Sequence, residues 1–134
     1  MPNSPFSEAL LDPTALQAGG FLRSLARGDV DALVVLGSGL AGAGESVFWG
    51  PAIAQAALSD VPGVLAPVAD GHLDELRIHR LERDGKPLTV ALALGRTHLY
   101  EGLGPGPVTA LARAAAAAGV KEAILCNANG CLKP

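Results

Sequence analysis

Four side chains that can handle protons and anions fall within six residues: Arg96, His98, Tyr100 and Glu101. A guanidinium grips two oxygens of an anion in a planar fork, and an imidazole donates or accepts near neutral pH. A phenol donates, and a carboxylate can orient a neighbouring imidazole or pair with the arginine. Arg96 and His98, two residues apart, lie on the same side of an extended segment. A second stretch has anion chemistry of its own, Gly37-Ser38-Gly39-Leu40-Ala41-Gly42. Its glycines allow close backbone approach, consecutive amides make an anion nest, and Ser38 adds a hydroxyl donor. The plainer alternative for this stretch is a tight strand-to-loop turn.

These groups need strands to present them. Leu88 to Leu94 is an apolar run that reads as a buried strand ending at Arg96. Ala32 to Leu36 reads as a buried parallel strand feeding the glycine loop. A strand that ends in polar groups delivers them to a cleft at the sheet's carboxyl edge. Asp84-Gly85 signals a hairpin joining the alternating stretch Leu76–Leu81 to the strand Leu88–Leu94. His79 falls on the polar phase of its strand and is expected in solvent, whereas His72, beside Gly71, can turn inward. Asp12-Pro13 starts a helix, with Gly19-Gly20 expected to interrupt it. Pro107 to Ala118 is a helix closed by Gly119, and Glu122–Cys126 is the strand that follows it in a βαβ unit. A short helix after Pro51 within Phe48–Leu58 and a strand at Val64–Val68 complete the expectation.

Length and composition narrow the classes. The chain of 134 residues suits one domain, and a 49% hydrophobic content with only 4% aromatics requires an aliphatic core. A net charge of −3 without any basic run argues against a nucleic-acid partner. No apolar run reaches the ~18 residues of a membrane span. Met1 to Glu8 lacks the pattern of a signal peptide, so a cytoplasmic setting is expected. Cys126 and Cys131 are expected to be free thiols, and without Cys-x-x-Cys spacing a metal pair with His98 is a poor reading. The glycine loop lacks the Gly-Lys-Ser/Thr ending of a P-loop. It also lacks the following helix and the acidic residue about 20 positions on that a dinucleotide fingerprint needs.

Taken in order, Leu36-Gly37-Ser38-Gly39-Leu40, Gly71-His72, Gly95-Arg96-Thr97-His98-Leu99-Tyr100-Glu101-Gly102, Pro107-Val108 and Asn127-Ala128-Asn129-Gly130 form a pattern. In motif and spacing, from about Ala32 onward, it resembles the trimeric class of purine nucleoside phosphorylases. The Gly-Arg-x-His-x-Tyr-Glu-Gly element carries most of the specificity, and sister enzymes acting on methylthioadenosine read differently there. The resemblance implies an α/β fold of three layers around a mixed sheet, here cut short after a βαβ unit. It implies one partial domain over 1–134, with 1–28 as a helical segment and 32–134 as the phosphate-site half.

The activity implied is that of a pentosyltransferase: phosphate attacks C1′ of a purine ribonucleoside or deoxyribonucleoside and displaces the base. Phosphate is a co-substrate, and neither cofactor nor metal is expected. By resemblance Ser38, His72, Arg96, His98 and Ala128 hold phosphate, Tyr100 and Asn127 contact substrate, and His98, Tyr100 and Glu101 serve catalysis. The partners implied are inorganic phosphate, a purine nucleoside and copies of the chain in a trimer. Residue by residue there are plainer readings: an Arg96–Glu101 surface ion pair, Tyr100 as a lid on the core, His98 as a satisfied loop histidine.

Family members are considerably longer, and the part without a counterpart here carries the purine-holding glutamate and asparagine and a second phosphate-binding serine. Asn129 and Cys131 stand where the family has alanine and glycine, and Cys131 would be strained if its position needed positive φ. The strand Glu122–Cys126 is expected at a sheet edge with apolar surface exposed. Phosphate binding with weak or absent turnover is therefore expected of this chain alone. The alternative is a catalytically silent anion- or nucleotide-binding module.

Overall fold

A computed structural model describes residues 12–128 and 130–133. The expectations about Met1 to Glu8, about the first 11 residues of the 1–28 segment and about Asn129 lie outside the described residues. Among the described residues seven regular elements follow in order: α1 (Pro13–Ala26), β1 (Ala32–Val35), β2 (Ala54–Ala56), β3 (Leu76–Arg83), β4 (Lys86–Ala93), α2 (Pro105–Ala117) and β5 (Glu122–Leu125). The five strands make one mixed sheet in the order β2-β3-β4-β1-β5.

β1 is the centre of the parallel half, with Leu33 opposite Ala91 of β4 on one side and Ala123 of β5 on the other. β3 and β4 form the expected hairpin, pairing from Leu76–Ala93 to Arg83–Lys86. Asp84 and Gly85 both take positive φ, 53° and 73°, which is the twist a two-residue hairpin turn requires. The chain then passes from β4 through α2 to β5, crossing β1, as a βαβ unit does.

Alternate residues of the central strands face opposite sides and make two apolar clusters. Leu33, Val35, Ala91, Ala93 and Ile78 meet Ala18, Leu22 and Ala26 of α1 and Ala110, Leu111 and Ala114 of α2. Val34, Leu36, Val90, Leu92 and Leu94 face the other way, with Trp49 packed on them. The layers are thus a helix pair, the sheet, and a thin cover of 3-10 turns, among them Ala41–Glu45 and Val47–Trp49.

Several expectations need correction. α1 is not interrupted at Gly19-Gly20, because Gly19 is where α2 comes close: a Cβ there would lie 2.8 Å from the Ala117 carbonyl carbon. Phe48–Leu58 holds no α-helix but a 3-10 turn, strand β2 and the start of another turn. β2 takes edge pairing with β3, Ala54 opposite Ile78. Val64–Val68 is irregular rather than a strand, pairing with none of the five strands of the sheet. α2 starts two residues earlier than expected, at Pro105, and β5 ends at Leu125. His79 is buried, not solvated: Trp49 covers it and its Nδ1–H donates to the Trp49 carbonyl at 3.1 Å. Burial holds its imidazole below the ordinary value of 6.5.

β5 lies at the open edge of the sheet, as expected, with Ile124 and Leu125 exposed. Cys126 and Cys131 are free thiols, and Cys131 does not take positive φ, so the strain considered for it does not arise. Among the described residues no helix is long and apolar enough to cross a membrane, and no three His, Cys, Asp or Glu side chains gather as a metal site.

Candidate active site

β1, β4 and β5 run in the same direction, so their carboxyl ends open on one edge of the sheet. Each continues into one stretch singled out in the sequence. β1 leads to Gly37-Ser38, β4 to Gly95-Arg96, and β5 to Asn127-Ala128. Two glycines bring these ends together. A Cβ on Gly37 would lie 2.3 Å from the Cys126 carbonyl oxygen, and one on Gly95 would lie 2.5 Å from the Leu73 carbonyl oxygen and 3.0 Å from His72 Cβ. Any larger residue would push the end of β5 away from β1, or the His72 loop away from β4.

An open cavity of about 610 Å³ results, lined by Ser38, Arg96, His98, Leu99, Tyr100 and Ala128. Five of these were singled out in the sequence. Leu99 was not, and its only sequence signal is an apolar residue between two polar ones; it is exposed. His72 and Glu101 stand behind the lining. Asn127 is exposed and is not among the lining residues; its Cα sits against Gly37.

The histidines are held in defined roles. His72 is buried, its Nε2 is 3.0 Å from Ser38 Oγ, and its Nδ1 accepts the Arg96 amide at 3.0 Å. Burial, followed by the charges of His98 and Arg96, holds the His72 imidazole below its ordinary value, against the pull of Glu101. His98 is buried too. Glu101 Oε1 accepts both its amide, at 2.9 Å, and its Nδ1–H, at 3.1 Å. The His98 amide is the largest influence holding the Glu101 carboxyl below its ordinary value, against burial and with help from the His98 ring. Of the two partners considered for Glu101, the carboxylate therefore takes His98; among the described residues Arg96 makes no ion pair.

The rings are stacked in series. His72 meets His98 edge to face at 4.7 Å, and His98 lies nearly parallel to Tyr100 at 4.7 Å. Tyr100 is 77% exposed, so it lies over the cavity and does not act as a lid on the core. Arg96 is half-buried and its Nε, fully shielded from solvent, has no partner among the described residues. Such a guanidinium edge costs free energy unless a ligand satisfies it. The lining is therefore rich in donors: a hydroxyl, a guanidinium and the backbone around Ala128, with the Nε2 edge of His98 beside them. It suits an oxyanion of phosphate size.

No protein-family model matches the chain. A curated relative, a purine nucleoside phosphorylase from Cellulomonas sp, is 44% identical over 101 residues. That match takes in 75% of this chain and 35% of the relative, so the chain spans about a third of that protein's length. Among solved structures, purine nucleoside phosphorylase from Schistosoma mansoni superposes with a TM-score of 0.63 at 22% identity, covering 89% of this chain and 41% of that one. Isoform 2 from the same organism, solved with cytosine and ribose-1-phosphate, gives 0.63 at 18% identity over 88% and 39% of the two chains. At that identity the structural matches speak for the fold. In sequence and in fold, then, the chain is similar to the N-terminal part of a purine nucleoside phosphorylase.

Proposed function

We propose that the cavity binds inorganic phosphate and serves the phosphorolysis of purine nucleosides. The observation that carries this is the meeting of Ser38, Arg96, His98 and Ala128 from three strand ends on one donor-rich cavity, with the buried Arg96 Nε unpartnered among the described residues. Ser38 Oγ–H, the Arg96 fork and the Ala128 amide hold the phosphate oxygens. One oxygen of hydrogen phosphate attacks C1′ of the ribose, the bond from C1′ to the purine nitrogen breaks with its electrons, and the base leaves with a proton that balances the one hydrogen phosphate gives up. The products are the free purine and ribose 1-phosphate.

The sugar carbon becomes cationic in that transition state, so an anion held close to it lowers the barrier by positioning and charge. His98, fixed by Glu101 through its Nδ1–H, presents Nε2 to phosphate or ribose: the neutral ring accepts there from a ribose hydroxyl or a protonated phosphate oxygen, and the imidazolium donates. Tyr100 contacts the ribose in this reading, which its stacking on His98 and its exposure support. His72 supports the phosphate side, and Asn127, at the end of β5, is assigned to substrate on the resemblance alone. None of these residues is assigned to the purine, so turnover by this chain alone is expected to be weak or absent. The same reading carries a homotrimer and a cytoplasmic enzyme of purine salvage; two unpaired cysteines accord with a reducing compartment.

A phosphate titration followed by thermal melting tests this, wild type beside Arg96→Ala. Phosphate at ~100 times Kd should stabilise the wild type by about 2.7 kcal/mol, and the response should vanish in Arg96→Ala. A cooperative melt indifferent to phosphate would overturn the reading. A phosphate response with no conversion of inosine, in the presence of any segment that completes the base site, would favour the silent anion-binding module.

A further inference from the structure

His72 touches the cavity only through other residues. Its Nδ1 lies 3.0 Å from the Arg96 amide, and a backbone N–H can only donate. Nδ1 must therefore carry its lone pair, and the neutral ring must carry its proton on Nε2. That proton points at Ser38 Oγ, 3.0 Å away. The serine oxygen is thus already accepting, and its own hydroxyl proton must go elsewhere. Ser38 is exposed and lines the cavity, so the direction open to that proton is the anion.

We propose that His72 is a positioning residue: anchored by the Arg96 amide as the Nε2–H tautomer, it turns the Ser38 hydroxyl into an obligatory donor to the anion. This rests on the reading of the cavity as an anion site. It also gives the site an acid limit opposite in sign to the usual one. A charged His72 places an N–H on Nδ1 against the Arg96 N–H, which breaks the anchor, although the added positive charge alone would favour an anion. The groups around His72 are the His98 ring edge-on at 4.7 Å, the Arg96 guanidinium and Glu101, with Asp70 and Asp74 on its own loop. Asp74 is engaged by the Ser59 amide and hydroxyl. Burial and the neighbouring cations favour the neutral ring.

The test uses the whole chain, with sulfate as the probe, because its charge is constant over the range in which imidazole titrates, and with phosphate beside it. Nitrogen-15 spectra of the ring should show the Nε2–H tautomer at neutral pH. In sulfate binding, Ser38→Ala and His72→Ala should each lose about tenfold, and the double variant should lose about tenfold rather than a hundredfold. His72→Gln, whose side-chain amide can still donate to Ser38, should recover most of the affinity. The advantage of the wild type over His72→Gln should shrink as pH falls from about 7.5 to about 5.5, a comparison in which His98 is present in both proteins. An Nδ1–H ring, additive losses, or a wild-type advantage that grows on acidification would overturn the proposal while leaving the anion site standing. A wild type that binds neither sulfate nor phosphate would overturn the site itself, and this role with it.

Discussion

Replacing Gly37 by alanine tests the claim that strand ends drawn tightly together make the site. The new Cβ would meet backbone only: 2.3 Å to the Cys126 oxygen, 2.8 Å to its carbon and 3.0 Å to Asn127 Cα. No side chain can rotate away, so β5 must move by about 1 Å to restore ordinary contact near 3.4 Å. φ at Gly37 is not positive, so backbone strain adds nothing and the effect is purely steric. Overpacking of this kind costs about 1–3 kcal/mol where the surroundings are rigid. Here the yielding element is an edge strand whose four residues are exposed, so its detachment limits the global cost to about 1 kcal/mol. That corresponds to roughly 4 °C in melting temperature for a domain of this size.

Detachment is also what the site can least tolerate. The Cys126 amide donates to the Val35 carbonyl at 2.9 Å, and Ala128 follows two residues later. Hydrogen exchange should show the Cys126 amide losing protection in Gly37→Ala, and phosphate binding should fall at least tenfold. Gly42→Ala is the control: it sits in the same stretch, takes no positive φ and has nothing within 4 Å of its missing Cβ, so stability and binding should be unchanged. Unchanged Cys126 protection together with unchanged phosphate affinity in Gly37→Ala would refute the reasoning.

Two further outcomes follow from the core. Leu92 is completely buried on the Trp49 side of the sheet, so Leu92→Ala should cost about 2–5 kcal/mol in urea unfolding, and a loss below about 1 kcal/mol would show that this face is loosely packed. His79 is buried and its folded pKa is depressed below 6.5, so the unfolded chain binds a proton in a range where the native state does not. Its contribution is fully present above about pH 6.5 and is lost as pH falls below it; melting temperatures across that range should fall less steeply in His79→Gln, and equal slopes would refute the assignment.

The parallel half of the sheet and the donor cluster were legible because both are local signals. Apolar runs mark β1 and β4, the Asp84-Gly85 turn fixes the hairpin, and alanines between Pro107 and Gly119 leave no reading but a helix. What failed depended on partners distant in sequence. The alternation in Leu76–Leu81 correctly separates two faces, but it cannot say that Trp49, 30 residues away, covers His79. Gly19 reads as a breaker until Ala117 is seen to lie against it. β2 is too short to show a period, and only pairing with β3 defines it. Within the site, the residue types near Arg96 announced anion chemistry. The division into a lining and a supporting row behind it, His72 and Glu101, is a matter of depth, which spacing along a strand does not encode.

The tryptophan over His79 has an optical consequence. It is the chain's single tryptophan, its Nε1–H donates to the Ala43 carbonyl at 2.9 Å, and its ring centre lies 5.7 Å from that of His79. With so few aromatics elsewhere, the intrinsic fluorescence of the molecule is in effect the fluorescence of this one corner. An imidazolium at such a distance quenches indole emission where neutral imidazole does not. The native protein therefore carries a built-in dye, bright while His79 is uncharged and dim once it takes a proton. It reports on the face of the sheet remote from the two helices, with no label attached.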